Sequence, residues 1–450
     1  MFSKTKRVAG VMLAAAMIVT SFAGCGGNTT EPGSSQAGNT SSGAQTTEIK
    51  AISVDEMMAN AELALGTEGK DSEVTLKVWA PSDALSVFQE QCDAFAKNFG
   101  DQGRKIKIEV VQQGESDSAG ALMVDPDAAA DVFGFVSDHA SKLYPGGNVA
   151  PVRLQYAKAI EESNLEGAVS VAKSDDQLVA FPETGDNGYF VYYNKSLINE
   201  EEIKSMESIM KVCNEKDKKF IMNLGNGFYG CVIPLTAGGT YELDENDNQI
   251  LNYNKEETVK VAKAFSDLLA EDPHFANDDT DKVLASSLRN GQALGGVSGT
   301  WKLNAIKDAL GENFACAKLP TINVGGEDKD MISMFGYKLL GVNKATKYPY
   351  TSQALAYYLS SEQCQKERME KLGWGPSITS LVESDAVKNN TCLTAVYAQQ
   401  AHSVPQIGLA GSFWDPTGAF GTYVLEKKND RSEAGIGKAY DSMYENITAQ

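Results

Sequence analysis

Four short stretches of the chain set flat aromatic rings beside glycine, amide and carboxylate residues. They are "FGFVSDH" (133–139), "NLGNGFYG" (223–230), "LGGVSGTWKL" (294–303) and "GSFWDPTG" (411–418). In the first, Phe135 lies close to Asp138 and His139. In the second, Phe228 and Tyr229 sit among glycines and two asparagines, one of them Asn226. Trp301 and Trp414 stand just behind small, flexible backbone. Such a set suits a pyranose, which has an apolar face of C–H groups and a rim of hydroxyls. Flat rings cover the face, while carboxylates and amides take up the hydroxyl hydrogen bonds. The competing reading is that each ring is core, where large aromatics usually lie. Gly, Ser, Asp and Pro flanks mark Trp301 and Trp414 as loop residues. Trp79, Tyr192 and Tyr193 sit inside strand patterns and read as core.

Other chemistries find less support. The chain has no G-x-x-x-x-G-K, G-x-S-x-G or H-E-x-x-H motif,. Three histidines and the lack of a C-x-x-C leave little for a transition metal,. The acidic runs "DENDN" (244–248) and "NDDTD" (277–281) offer oxygen ligands for calcium. Neither fits the twelve-residue calcium loop, and polar hairpin turns account for both. No cofactor is expected. Carboxylates are plentiful, so a two-carboxylate glycoside hydrolase stays open as an alternative.

At 450 residues the chain exceeds one hydrophobic core and divides into two or three domains,. Its formal net charge of −20 offers no basic stripe for nucleic acid,. "VTLKVWA" alternates like a strand. Ser82 or Asp83 then caps a helix whose apolar face is Leu85, Phe88, Cys92, Phe95 and Phe99,. "KIKIEVV" and "DVFGFV" give two more strands, and "LVAFP" and "YFVYYN" bracket a loop, "ETGDNG". Further on come a helix in "ETVKVAKAFSDLLAED", a strand in "QALGGVS", a helix from Trp301 to Leu310 and a strand in "MISMFGYKLLGV". "QALAYYLSSEQCQKERMEKLG" is helical, as is most of the tail after Lys427. Residues 51–70 form a short helix that either packs on the body or extends the spacer before it. Strands alternating with helices indicate an α/β fold with ligand sites at loops leaving strand C-termini.

The N-terminus reads as an export signal: basic "MFSKTKR", an apolar run, then "FAGC" with Cys25 behind small residues,. "FAGC" resembles a bacterial lipobox, which implies cleavage before Cys25 and its lipidation. Residues 28–47 are Gly, Ser, Thr, Asn and Gln with few apolar side chains, a flexible tether,. The acidic chain is repelled by an anionic bilayer, so attachment rests on the lipid anchor. Six cysteines follow Cys25, at 92, 213, 231, 316, 364 and 392. They are sparse and mostly in apolar patterns, so buried thiols and disulfides both remain open.

The order of motifs resembles the maltodextrin-binding branch of ABC-transporter solute-binding proteins. "LKVWAPSD", "AADVFGFVSD", "LVAFPETGDNGYFVYYNKSLI", "MNLGNGFYGCVIPLTAGG", "GQALGGVSGTW" and "SFWDP" carry the likeness over residues 73–450. It implies a two-lobed α/β fold of the periplasmic-binding-protein type, closing on a ligand in the cleft between lobes. One lobe takes residues 73–183 and 331–378, the other 184–330 and 379–450. Crossings are expected near Pro182 to Asn187, Met331 and Ser380. The resemblance implies ligand contacts at Asp83, Phe135, Asp138, His139, Asp186 or Asn187, Asn226, Phe228, Trp301 and Trp414. Asp83 has an equal alternative as helix cap. Trp301 and Trp414 match the family's two stacking tryptophans. His139 replaces an arginine, Asn226 a carboxylate and Phe228 a tyrosine. The implied protein does no catalysis. It is a monomer lipid-anchored at the outer face of the cytoplasmic membrane of a Gram-positive cell. There it passes maltooligosaccharides to the permease subunits of an ABC importer.

Overall fold

The computed structural model describes residues 50–244, 246 and 248–449. The signal, Cys25 and the tether lie outside the described residues. The strand Val74–Ala80 pairs in parallel with Ile106–Gln112 and Val132–Val136. Between the first two runs the helix Leu85–Gly100, which buries Phe88, Cys92, Phe95 and Phe99. Its N-cap is Ala84, with no side-chain cap. Neither Ser82 nor Asp83 is therefore the cap expected from sequence, and Asp83 is left at the surface.

The largest departure from expectation concerns "ETGDNG". It is no loop but the middle of one continuous strand, Phe181–Asn194. A second long strand, Ser333–Val342, pairs with it antiparallel at Thr184, Asn187 and Gly188, while the Gly185 N–H donates to the Gly375 carbonyl (2.9 Å),. Glycines permit the close packing there. A Cβ on Gly185 would come 2.7 Å from the Pro376 carbonyl, and one on Gly188 would come 2.8 Å from the Phe335 ring.

These two strands join everything else. On one side Ser333–Val342 pairs with Val132–Val136, and on the other Phe181–Asn194 pairs with Ala293–Gly299 and Phe314–Ala317. Beyond Ala293–Gly299 lie Lys219–Ile221 and Phe275–Ala276, both parallel to their neighbours. Register slips between Gly336 and Leu339 mark where the ladder changes partners,.

Apolar side chains collect in separate clusters along this sheet. The first includes Leu76, Phe88, Phe95, Phe133, Phe181, Leu340 and Trp374. The second includes Tyr189, Val191, Phe220, Phe265, Val297, Phe420 and Ile436. Phe190 and Tyr192, on the opposite face of the same strand, join Leu303, Ile306, Phe335 and Val396 in a third,. Trp79, Tyr192 and Tyr193 are buried, as expected of core residues.

Residues 51–70 form two short helices, Val54–Met58 and Ala61–Leu65. They pack on the first cluster rather than extending the spacer. Tyr357 donates its hydroxyl to the Ile52 carbonyl (2.7 Å), and Arg153 donates to that of Ala64 (2.9 Å). Residues 300–302 make one tight turn before the helix Leu303–Leu310. The long helical stretch near residue 360 is two helices, Pro349–Leu359 and Glu362–Leu372, the second capped by Ser361. Among the described residues no helix is long and apolar enough to cross a membrane.

Candidate ligand-binding cleft

A cleft of about 810 Å³ opens between the first two clusters, within the ~300–1,000 Å³ common for small-ligand sites. Its walls are loops that leave strand C-termini, where α/β folds place ligands. Ser82 and Asp83 follow Val74–Ala80, Gly114 to Ser116 follow Ile106–Gln112, and Asp138 and His139 follow Val132–Val136. Across the gap, Asn223 and residues 225–229 follow Lys219–Ile221, Asp281 comes after Phe275–Ala276, and Trp301 and Lys302 follow Ala293–Gly299. Trp414 and Asp415 complete that wall, with Asn187, Lys338 and Gln406 between the two.

The second wall is the aromatic one. Trp301 folds back over Gly299, and its ring occupies the space any Cβ at 299 would need. Asp281 fixes the ring, its Oδ1 accepting from Trp301 Nε1 (2.9 Å) and from Ser298 Oγ (2.8 Å). Phe228 lies 6.2 Å from Trp301 between centroids and 5.0 Å edge-on from Tyr189. Asn226 starts the turn that presents Phe228, its side chain accepting from the Phe228 N–H (2.9 Å). Trp414 begins the helix Trp414–Leu425 and packs edge-on against Phe413 at 5.3 Å. This helix nests on the 223–230 turn because Gly418, Gly421, Gly227 and Gly230 leave no Cβ between the backbones. Trp301 and Trp414 are half-buried, so part of each ring remains open to the cleft.

The first wall and the floor are polar. Asn187 Nδ2 donates to Gln406 Oε1 (2.7 Å), and Gln406 Nε2 donates to Asp138 Oδ1 (3.1 Å). Burial pushes the Asp138 carboxyl up to about 6, against smaller opposing pulls from its own backbone and from Lys142,. Burial lowers the His139 imidazole to about 4, with Lys142 adding to the effect. His139 is thus neutral at pH 7, and its buried Nδ1 has no partner. Lys338 is buried under the floor, 3.2 Å from Glu115 Oε1 and 4.4 Å from the centroid of the Trp374 ring. Burial works to lower its pKa, but Glu115, Asp186, Glu183 and Asp83 together outweigh that and keep it charged.

The structure brings together Asp83, Asp138, His139, Asn187, Asn226, Phe228, Trp301 and Trp414. Two expected contacts need correction. Phe135 does not reach the cleft: its ring lies in the first core, 5.7 Å from Phe133 and 6.4 Å from Tyr144. Side chains alternate along a strand, so its neighbour Val136 faces the cleft instead,. Asp186 points away as well, its Oδ2 accepting from Thr300 Oγ1 (2.6 Å) and the Gly375 N–H (2.7 Å). It joins chain segments beneath the site, and Asn187 is the residue that lines it.

The site also contains groups the sequence did not single out for ligand contact: Glu115, Asn223, Asp281, Lys302, Lys338, Gln406 and Asp415. Lys338 left a trace, a lone charge in the apolar run "MFGYKLLGV". Asp281 belongs to "NDDTD", which is not a hairpin turn but leads into the helix Thr280–Arg289. Asp244 and Asn248, the ends of "DENDN", lie between the paired strands Thr240–Leu243 and Gln249–Asn252. Among the described residues no group of three or more His, Cys, Asp or Glu is arranged to hold a metal. A depression of similar size, about 880 Å³, lies on the flank of the first core. Tyr144 is the only aromatic residue in its lining, so it has no stacking wall.

Two α/β lobes that share crossing strands and enclose a cleft define a ligand-binding protein of the periplasmic-receptor type. The chain belongs to the bacterial extracellular solute-binding proteins, whose family model matches residues 90–395. These are binding proteins, not enzymes, and act outside the cytoplasm. The galactooligosaccharide-binding protein of Bacillus subtilis (strain 168) is 24% identical over 381 residues, covering 80% of this chain and 86% of the relative. Among solved structures, the maltodextrin-binding protein MalE1 of L. casei BL23 superposes with a TM-score of 0.71. It is 19% identical, covering 84% of this chain and 100% of that one. The maltotriose-binding protein of Thermus thermophilus gives a TM-score of 0.69 at 18% identity, covering 83% of this chain and 99% of that one.

Proposed function

We propose that this protein captures maltooligosaccharides in the cleft and delivers them to an ABC importer. The observation that carries the reading is the aromatic wall of Trp301, Phe228 and Trp414 facing a wall of carboxylates and amides. Half-exposed indoles suit the C–H faces of successive glucose units, and Asp83, Asp138, Asn187 and Asn226 suit their hydroxyls. Further support comes from the structural relatives, several of which are named for maltodextrin or maltotriose.

In this reading the lobes are 73–183 with 331–378 and 184–330 with 379–450. The strands Phe181–Asn194 and Ser333–Val342 act as hinges, and closure over the sugar is the signal the permease recognises. Cleavage before Cys25 and its lipidation tether a monomeric receptor to the outer face of a Gram-positive membrane. The second reading is a galactooligosaccharide, the cargo in the name of the Bacillus subtilis relative. Isothermal titration with maltose through maltohexaose, galactooligosaccharides and cellooligosaccharides tests both. Micromolar binding of one maltooligosaccharide per chain is expected. Heat from galactooligosaccharides alone would replace it with the second reading.

A further inference from the structure

Cys316 and Cys392 stand apart from the other thiols. Cys316 lies in the strand Phe314–Ala317, held in register opposite Tyr192 of the first crossing strand. Cys392 sits in the first turn of the helix Thr391–Gln400, where the Asn390 side chain accepts from the backbone N–H groups of Cys392 (3.0 Å) and Leu393 (3.1 Å). Sheet pairing thus fixes one residue and a helix cap the other. Between these independent anchors the two sulfurs lie 2.7 Å apart. That is inside the spacing unbonded sulfurs keep, and a bonded pair sits at about 2.0 Å. The cleft uses neither thiol. Cys231 donates to the Phe228 carbonyl (3.1 Å), while Cys92, Cys213 and Cys364 are buried.

We propose that Cys316 and Cys392 are joined by a disulfide in the mature protein. The chain works outside the cytoplasm, where such bonds form and persist,. The oxidant is an external low-molecular-weight disulfide. The thiolate of one cysteine attacks it, releasing one thiol and leaving a mixed disulfide. The thiolate of the other then attacks the protein sulfur of that bond and releases the second thiol. Two protein thiols are oxidised, one external disulfide is reduced, and the two thiol protons pass to the departing thiolates. The bond ties down a helix that braces the second crossing strand. Gln399 of that helix donates to the carbonyl of Met331 (3.0 Å) and to Ser333 Oγ (3.1 Å), and accepts from the Leu319 N–H (2.9 Å). Since Cys316 lies opposite Tyr192 and Cys392 shares an apolar cluster with Phe190 and Tyr192, the bond does not bridge the two cleft walls and leaves closure free.

The test is peptide mapping of the exported full-length protein, extracted in detergent and alkylated in denaturant without reductant. The proposal expects the Cys316 and Cys392 peptides joined and two hydrogens lighter, with Cys92, Cys213, Cys231 and Cys364 alkylated. Separate alkylation of Cys316 and Cys392, even after refolding with oxidised glutathione, would overturn it. A second measurement is the melting temperature with and without a phosphine reductant. Wild type should lose on the order of 5 °C, while a C316S/C392S variant should not respond. An equal response in both would also contradict the proposal.

Discussion

Asp281 holds the indole of Trp301 at the cleft wall. One carboxylate oxygen accepts from both Trp301 Nε1 (2.9 Å) and Ser298 Oγ (2.8 Å). Asp281 thus sets the angle at which the ring faces the ligand. Asp281→Ala should weaken sugar binding roughly tenfold, the order expected when a hydrogen bond to a charged partner is lost. Asp281→Asn keeps an acceptor for the indole and should retain most of the affinity. Titration calorimetry measures the loss, and a shifted tryptophan emission in Asp281→Ala would confirm that the ring has moved. Equal affinities in all three proteins would remove Asp281 from the account.

The two tryptophans should dominate the binding energy. Truncating a well-packed aromatic anchor costs at least about 2 kcal/mol, or on the order of 30-fold in affinity. Trp301→Ala and Trp414→Ala are each expected to raise Kd at least tenfold while leaving the melting temperature of the unliganded protein nearly unchanged. Both rings are half-buried, so their loss opens no sealed cavity. If neither variant binds more weakly, the ligand does not use this wall.

Binding should weaken in mild acid. Burial raises Asp138 to about 6, and sugar hydroxyls donate best to its ionised form. Affinity should therefore fall roughly tenfold from pH 7.5 to pH 5, as protonation removes the acceptor. Asp138→Asn should bind more weakly at pH 7.5 but show a much flatter profile. The stability linkage has the opposite sign. A raised carboxyl favours the folded state fully below its unfolded pKa, near 4, and that contribution is lost as pH rises through about 6. Urea titrations of the unliganded protein at pH 5 and 8, with and without Asp138→Asn, separate the two effects.

Lys338 should matter for stability more than for contact with sugar. It is buried against Glu115 at 3.2 Å, with other carboxylates nearby. Lys338→Met leaves Glu115 buried without its cation, which costs roughly 3 kcal/mol. Adding Glu115→Leu should recover part of that loss. Urea denaturation checks both, and a Lys338→Met variant as stable as wild type would contradict the buried-pair picture.

What the sequence revealed and what it concealed have physical reasons. Trp301 and Trp414 were legible because the residues beside them are too small or polar for core strands. Gly299 shows why, since the ring of Trp301 fills its missing side chain's space. The strand core was legible in "VTLKVWA" and "KIKIEVV", which alternate in the period of a half-buried sheet. "FGFV" hid its orientation. Val132 to Phe135 are buried on both faces, so apolar pattern alone could not say whether Phe135 faced core or cleft. The choice between Asp186 and Asn187 was closed to the sequence, because the partners that turn Asp186 away, Thr300 and Gly375, come from distant parts of the chain. Gln406 was invisible for the same reason, since nothing in "VPQIG" indicates that it bridges Asn187 and Asp138. The run "ETGDNG" has the composition of a loop, and distant chain segments, the partner strand and the Gly375 backbone, make it extend.

The most direct test of the central claim is a crystal structure of the protein grown with maltotetraose. One oligosaccharide is expected in the cleft between the lobes, with glucose rings stacked on Trp301 and Trp414 and hydroxyls within hydrogen-bond distance of Asp138 and Asn187. A sugar seated elsewhere, such as the flank depression beside Tyr144, or a closed cleft without sugar, would contradict it.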